Sequence, residues 1–228
     1  MINNHSVTSI YWKKYNKEKD KLVKKIINFN DKFQINYLEN GHFNHTRDLF
    51  ALCLANIKSQ KKRINILDYG SNLLTLCNLT NKIDCKIFNF IIFDPFFKNT
   101  TKKIKIKNIK YKILNDEKLI KSSKFELLHF GSSIQYEEKI LEKIENLNLE
   151  STKIILFTHT PFSFEISYSS VQSNHLHLTQ YIHSLKKITK ALKKKNFHLI
   201  FKSRNDDKYI ACRNKKFTTY SLNLIFKK

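Results

Sequence analysis

Four stretches of the chain end an apolar run in residues able to touch a ligand. The first is Leu67-Asp68-Tyr69-Gly70-Ser71-Asn72. An acid followed by a glycine turn is a nucleotide-cofactor arrangement, because glycine allows a tight turn and close backbone approach. The second is Phe93-Asp94-Pro95. Asp94 stands where an acid roughly 20 residues past such a turn holds a ribose hydroxyl pair. Asp116, after a third run, either meets an adenine amino group or caps the helix that follows.

The third stretch is FELLHFGSSIQY, from Phe125 to Tyr136, and the fourth is His159-Thr160-Pro161-Phe162. Gly131, Ser132 and Ser133 make a small polar turn beside His129. His129 and His159 are candidate bases near neutral pH, or histidines satisfied by backbone hydrogen bonds or packing. Gln135, Tyr136 and Gln172 are candidate hydrogen-bonding contacts to an acceptor, although Tyr136 equally suits the first core position of a helix. His175, His177 and His183 invite a metal reading. On a helix, positions i and i+2 point apart, and no carboxylate lies at helical spacing, so no metal is expected.

These residues need a frame. A lysine-rich helix is expected over Tyr11–Phe29, and a second over Arg47–Lys58 with Thr46 as N-cap and Leu49, Phe50, Leu52 and Cys53 facing inward. From Arg63 onward strand-like and helix-like runs alternate. Strands are expected at 64–69, 86–94, 108–114, 126–130, 153–159 and 197–203, with one or two more in the tail. Helices are expected at 73–79, 137–147 and 175–195. Such alternation predicts an α/β fold, a doubly wound and mostly parallel sheet with helices on both faces. Runs such as IIF and IILF suit strands buried on both sides. Ligands of such sheets sit beyond the carboxyl ends of the strands. The chain divides into an N-terminal helical extension, 1–60, and a Rossmann-like domain, 61–228.

The 228 residues carry a net charge of +23. A nucleic-acid partner is therefore an open reading. Against it, Arg47, Arg63, Arg204 and Arg213 are the only arginines among 42 basic residues. Arginine is the residue suited to bidentate phosphate and base contacts. The lysine alternation of KKIKIKNIKYK (102–112) reads as a strand at a sheet edge whose lysines discourage pairing, or as an electrostatic groove. No apolar run is long enough for a membrane span, and the four cysteines include no CxxC pair, which suits a reducing cytoplasm.

In this order the motifs resemble those of Rossmann-fold methyltransferases dependent on S-adenosylmethionine. LDYGSN resembles motif I, IIFDP motif II and FELLHFGSSIQY motif IV. LDYGSNLLT, SSIQY and THTPF with Val171-Gln172 are similar to a family of bacterial methyltransferases associated with surface-polysaccharide gene clusters; Arg47-Asp48 is similar to its N-terminal region. The resemblance implies the seven-stranded sheet of the class I enzymes. It implies S-adenosylmethionine held by Asp68, Gly70, Ser71, Asp94, Asp116, Gly131 and Ser132. It also implies a small-molecule or glycan acceptor near Gln135, Tyr136, Gln172 and Arg47, with His159 or His129 as base. The chain departs from the family pattern where Ser71 and Leu74 replace glycines, which opens a second reading as a non-catalytic binding or scaffold protein. A nucleic-acid methyltransferase is the third reading, weakened by the lack of an NPPY-like tetrad.

Overall fold

The computed structural model describes residues 45–57, 63–70, 76, 79, 83–93, 109–171, 179–204 and 219–228. Five strands run parallel in the order β3 (Lys110–Leu114), β2 (Phe88–Phe93), β1 (Ile64–Tyr69), β4 (Leu127–Gly131) and β5 (Ile154–Ser163). On the far edge of β5 lies β9 (Thr219–Lys227), antiparallel to it, and β8 (His198–Arg204) pairs antiparallel with β9. The expected doubly wound, mostly parallel sheet is present, and its central path has the order of the class I methyltransferases.

Side chains alternate across these strands, as the pleat requires. Leu67, Tyr69, Leu128, Phe130, Ile155 and Phe157 face one side. They pack on α3 (Ile140–Asn146) and α4 (Leu185–Lys194) through Ile140, Ile144, Leu185, Ile188 and Leu192. Ile64, Ile66, Phe90, Ile92, Leu127 and Leu156 face the other side, against Leu49, Phe50, Cys53 and Leu54 of α1 (His45–Asn56). The short α2 (Glu117–Lys121) follows β3.

Several boundaries differ from expectation. The second helix is already formed at His45, so Thr46 lies inside it and is not the cap. The helix expected over 137–147 is present but shorter, as α3 (Ile140–Asn146), and a 3-10 turn, Ile134–Tyr136, precedes it. Strand β5 does not stop at His159 but continues to Ser163. The long helix expected from His175 is β7 (Thr179–Ser184) followed by α4. Leu178, Ile182 and Leu185 satisfy a helical spacing, but Gln180 and Ile182 are buried between half-buried Thr179 and Tyr181, which is strand periodicity. Ser184 ends the strand and starts the helix: its hydroxyl accepts the Lys187 N–H at 3.2 Å. The helix expected over 11–29, and most of that over 73–79, lie outside the described residues; Leu76 and Leu79 are helical and buried.

An unexpected hairpin, β6 (Tyr168–Val171) with β7, completes the sheet. β7 joins β5 in parallel only at Phe162 and Ser163. There β9 already holds the opposite edge of β5. The hairpin therefore occupies the edge that β4 pairs as far as Thr158, and it extends the sheet past the carboxyl end of β4.

Candidate active site

Asp68 lies one residue before the end of β1, opposite His129 of β4 in the register. Both project to the α1 side of the sheet, where Phe50 lies stacked on the imidazole at 4.1 Å between ring centroids. His129 Nδ1 lies 2.8 Å from Asp68 Oδ1, and Nε2 lies 2.8 Å from Thr158 Oγ1 of β5. An imidazole with its proton on Nδ1 satisfies this line: it donates to the carboxylate and accepts from the threonine hydroxyl. Asp68 is fully buried, and its second oxygen, Oδ2, has no hydrogen-bond partner among the described residues. A buried carboxylate oxygen without a donor is costly, so a donor from a ligand would suit this atom.

The strand ends are tied to one another by short polar contacts. Gly70, at φ 71°, donates its N–H to Phe93 O at 2.7 Å, joining the ends of β1 and β2. Ser133 Oγ donates to Tyr69 O at 2.6 Å, joining the turn after β4 to β1. Ser132, at φ 55°, donates its N–H to Thr158 O at 2.9 Å. A Cβ on Gly70 would stand 2.3 Å from Ser133 Cβ, and one on Gly131 would stand 2.8 Å from His129 Cε1. Both glycines are thus fixed by close approach, Gly70 by its positive φ as well.

The other side chains singled out in the sequence fall around this line. Gln135 is buried in the 3-10 turn; its Nε2 donates to Ser132 Oγ at 2.9 Å and its Oε1 has no partner among the described residues. Tyr136 ends that turn half-buried. Asp116 caps α2, accepting the Lys118 N–H at 2.9 Å, so the capping alternative is the one observed. His159 is exposed, at φ 49°, where the pairing of β5 with β9 shifts register. Its N–H donates to Asn223 Oδ1, and its Nδ1 lies 3.4 Å from Ser221 Oγ. Arg47 is placed on α1 by its backbone alone. Ser71, Asp94 and Gln172 lie outside the described residues.

Sequence reasoning missed Thr158, the tie from Ser133 to the end of β1 and a polar cluster on the opposite face. There Lys143 Nζ contacts Glu117, lies 2.7 Å from Glu137 Oε2 and donates to Tyr69 OH at 3.2 Å. Burial works to lower the Lys143 pKa, but its hydrogen bonds to Glu117 and Glu137 outweigh that, and the net shift is upward. Burial first, then the two carboxylates, push the Tyr69 phenol up. Burial likewise pushes the Cys53 thiol up to about 12 and Cys85 up to about 11, so neither is a nucleophile near neutral pH. Among the described residues no group of three or more His, Cys, Asp or Glu is placed to hold a metal, and no helix is long and apolar enough to cross a membrane.

No protein-family model matches the chain, and no curated protein matches it. Solved structures do. Magnesium protoporphyrin IX methyltransferase from Synechocystis PCC 6803, with S-adenosylhomocysteine bound, superposes with a TM-score of 0.50 at 9% identity, covering 81% of this chain and 82% of that one. The CurJ carbon methyltransferase also gives 0.50 at 10% identity, over 80% of this chain and 53% of that one. An S-adenosylmethionine-dependent methyltransferase from Clostridium acetobutylicum ATCC 824 gives 0.49 at 13% identity, over 90% and 98%. At these identities the likeness is one of fold, and the fold is that of the class I methyltransferases.

Proposed function

We propose that the protein transfers a methyl group from S-adenosylmethionine to a sugar or glycan precursor. The observation that carries the cofactor is the buried, unpartnered Asp68 Oδ2 beside the positive-φ turn at Gly70. A cationic donor such as the ammonium of the cofactor's methionyl group suits that oxygen. Asp68, Gly70, Gly131 and Ser132 hold the cofactor in this reading, together with Ser71, Asp94 and Asp116. When bound, S-adenosylmethionine supplies an activated methyl group, and the chain's task is alignment.

His129 is a positioning residue here, since Asp68 and Thr158 engage both of its ring nitrogens. His159, exposed in the β5 bulge, is the candidate to take a proton from an acceptor hydroxyl. Gln135 offers its unpartnered Oε1 to the acceptor. Tyr136, Gln172 and Arg47 complete the proposed acceptor side. The sugar class rests on the likeness of LDYGSNLLT, SSIQY and THTPF to enzymes of polysaccharide gene clusters.

Titration calorimetry with S-adenosylmethionine is the direct test. Binding is expected, and Asp68→Asn should weaken it at least tenfold. No heat at millimolar cofactor would overturn the reading. Labelled methyl should appear in a glycan pool; label in RNA would instead support the nucleic-acid reading that the charge of +23 favours. Binding without transfer to any pool would support a non-catalytic protein, as Ser71 and Leu74 in place of glycines suggest.

A further inference from the structure

At the other end of the strands, on the other face of the sheet, lies a cavity of about 480 Å³. Asn65, Asn89, Lys110, Lys112, Ser123 and Lys124 line it. Asn65 and Asn89 are second residues of β1 and β2, and Lys110 is the first of β3. Asn65 is three residues before Asp68, so about 10 Å of strand separates the two levels. Asn65 and Asn89 alternate with Ile64, Ile66, Phe88 and Phe90, which belong to the α1-side core. The cavity therefore opens on the face opposite the Asp68–His129–Thr158 line.

Its floor is a fixed chain of amides. Asn89 Nδ2 donates to Asn65 Oδ1 at 3.1 Å, and Asn65 Nδ2 donates to Lys124 O at 3.2 Å. The Glu126 carboxylate, buried and not part of the lining, accepts the Asn65 N–H at 2.7 Å. None of the described lining residues is acidic, and Lys110, Lys112 and Lys124 are exposed. Three ammonium groups over a bed of carboxamides suit a phosphate with hydroxyls attached: the lysines act as point charges on the phosphate, and the amides meet the hydroxyls. The volume falls within the roughly 300–1,000 Å³ of small-molecule sites. A nucleic-acid strand is less well served. Tyr111 of β3 also borders the cavity, but its side chain packs on the α1-side core rather than standing free to stack on a base.

We propose that this cavity is a second binding site, for a phosphate monoester of a small polyhydroxylated molecule, separate from the candidate active site. The test is calorimetry on the full chain with a hexose phosphate, inorganic phosphate, sulfate and a short RNA oligonucleotide, for the wild type and two variants. One saturable site is expected for the hexose phosphate, with inorganic phosphate weaker. Lys110→Gln/Lys112→Gln/Lys124→Gln should reduce affinity at least tenfold without changing the melting temperature or the heat of S-adenosylmethionine binding. Asn89→Leu should weaken the hexose phosphate severalfold while leaving inorganic phosphate unchanged. Unaltered hexose phosphate binding in the triple variant would overturn the proposal. So would equal binding of sulfate and hexose phosphate, or RNA binding whose stoichiometry grows with length.

Discussion

Between Asp68 and Thr158, His129 does its work by being held. Phe50 fixes the plane of the ring while the carboxylate and the hydroxyl fix its two nitrogens. Replacing it removes the only hydrogen-bond donor that the buried Asp68 carboxylate has among the described side chains. His129→Phe is therefore expected to cost about 3–5 kcal/mol in urea unfolding, the range for orphaning a buried charge. Adding Asp68→Leu should recover part of that loss. A single-variant cost below about 1 kcal/mol would mean that the line carries little stability. His183 gives a pH dependence. It is buried, with Nε2 donating to Ile134 O at 3.0 Å, and burial lowers its pKa below 6.5 despite the hydrogen bonds to Ile134 and Glu137 backbone. Below about pH 6.5 the unfolded chain binds a proton that the folded chain does not, so stability falls as pH drops from there toward the lowered native value. Urea midpoints at pH 7.5 and 5.5 should differ less in His183→Gln than in the wild type.

The elements around the site were unevenly legible. INILDY, FNFIIF and LLHF read directly as strands because a strand covered on both faces needs an unbroken apolar run. The hairpin did not, because TQYIHS carries an apolar spacing that fits a helix as well as a strand; its backbone partner in β6 settles it. The site's glycines were visible as turn signals, whereas their reason, contact with Ser133 and His129, depends on which strands lie side by side. The Lys143 cluster was invisible for the same cause. It joins α3 and Glu137, shortly before it, to α2 and the end of β1, whose Glu117 and Tyr69 lie 26 and 74 residues away from Lys143 in sequence. Glu117 is 42% exposed, so solvent screens that arm. Lys143→Met is expected to lower stability by about 1–2 kcal/mol, with a smaller loss at high salt. Thermal melts in low and high salt measure it.

At the scale of the molecule, charge and topology divide differently between sequence and structure. The excess of lysine was plain from composition, but its placement was not: two lysines of the 102–112 run stand on the outermost parallel strand and border a cavity rather than only shielding an edge. The sheet's order also bears on how the chain is made. β9, the last of the described strands in chain order, is an interior strand, held between β5 and β8. Until it is synthesised, β8 has no strand to join and the long outer edge of β5 stays open. That edge of β5 therefore stays uncovered while the residues between Ser163 and Thr219 are made, and that half of the sheet closes only with β9. For such a chain, refolding yield depends on protecting β5 in time as much as on the stability of the finished fold.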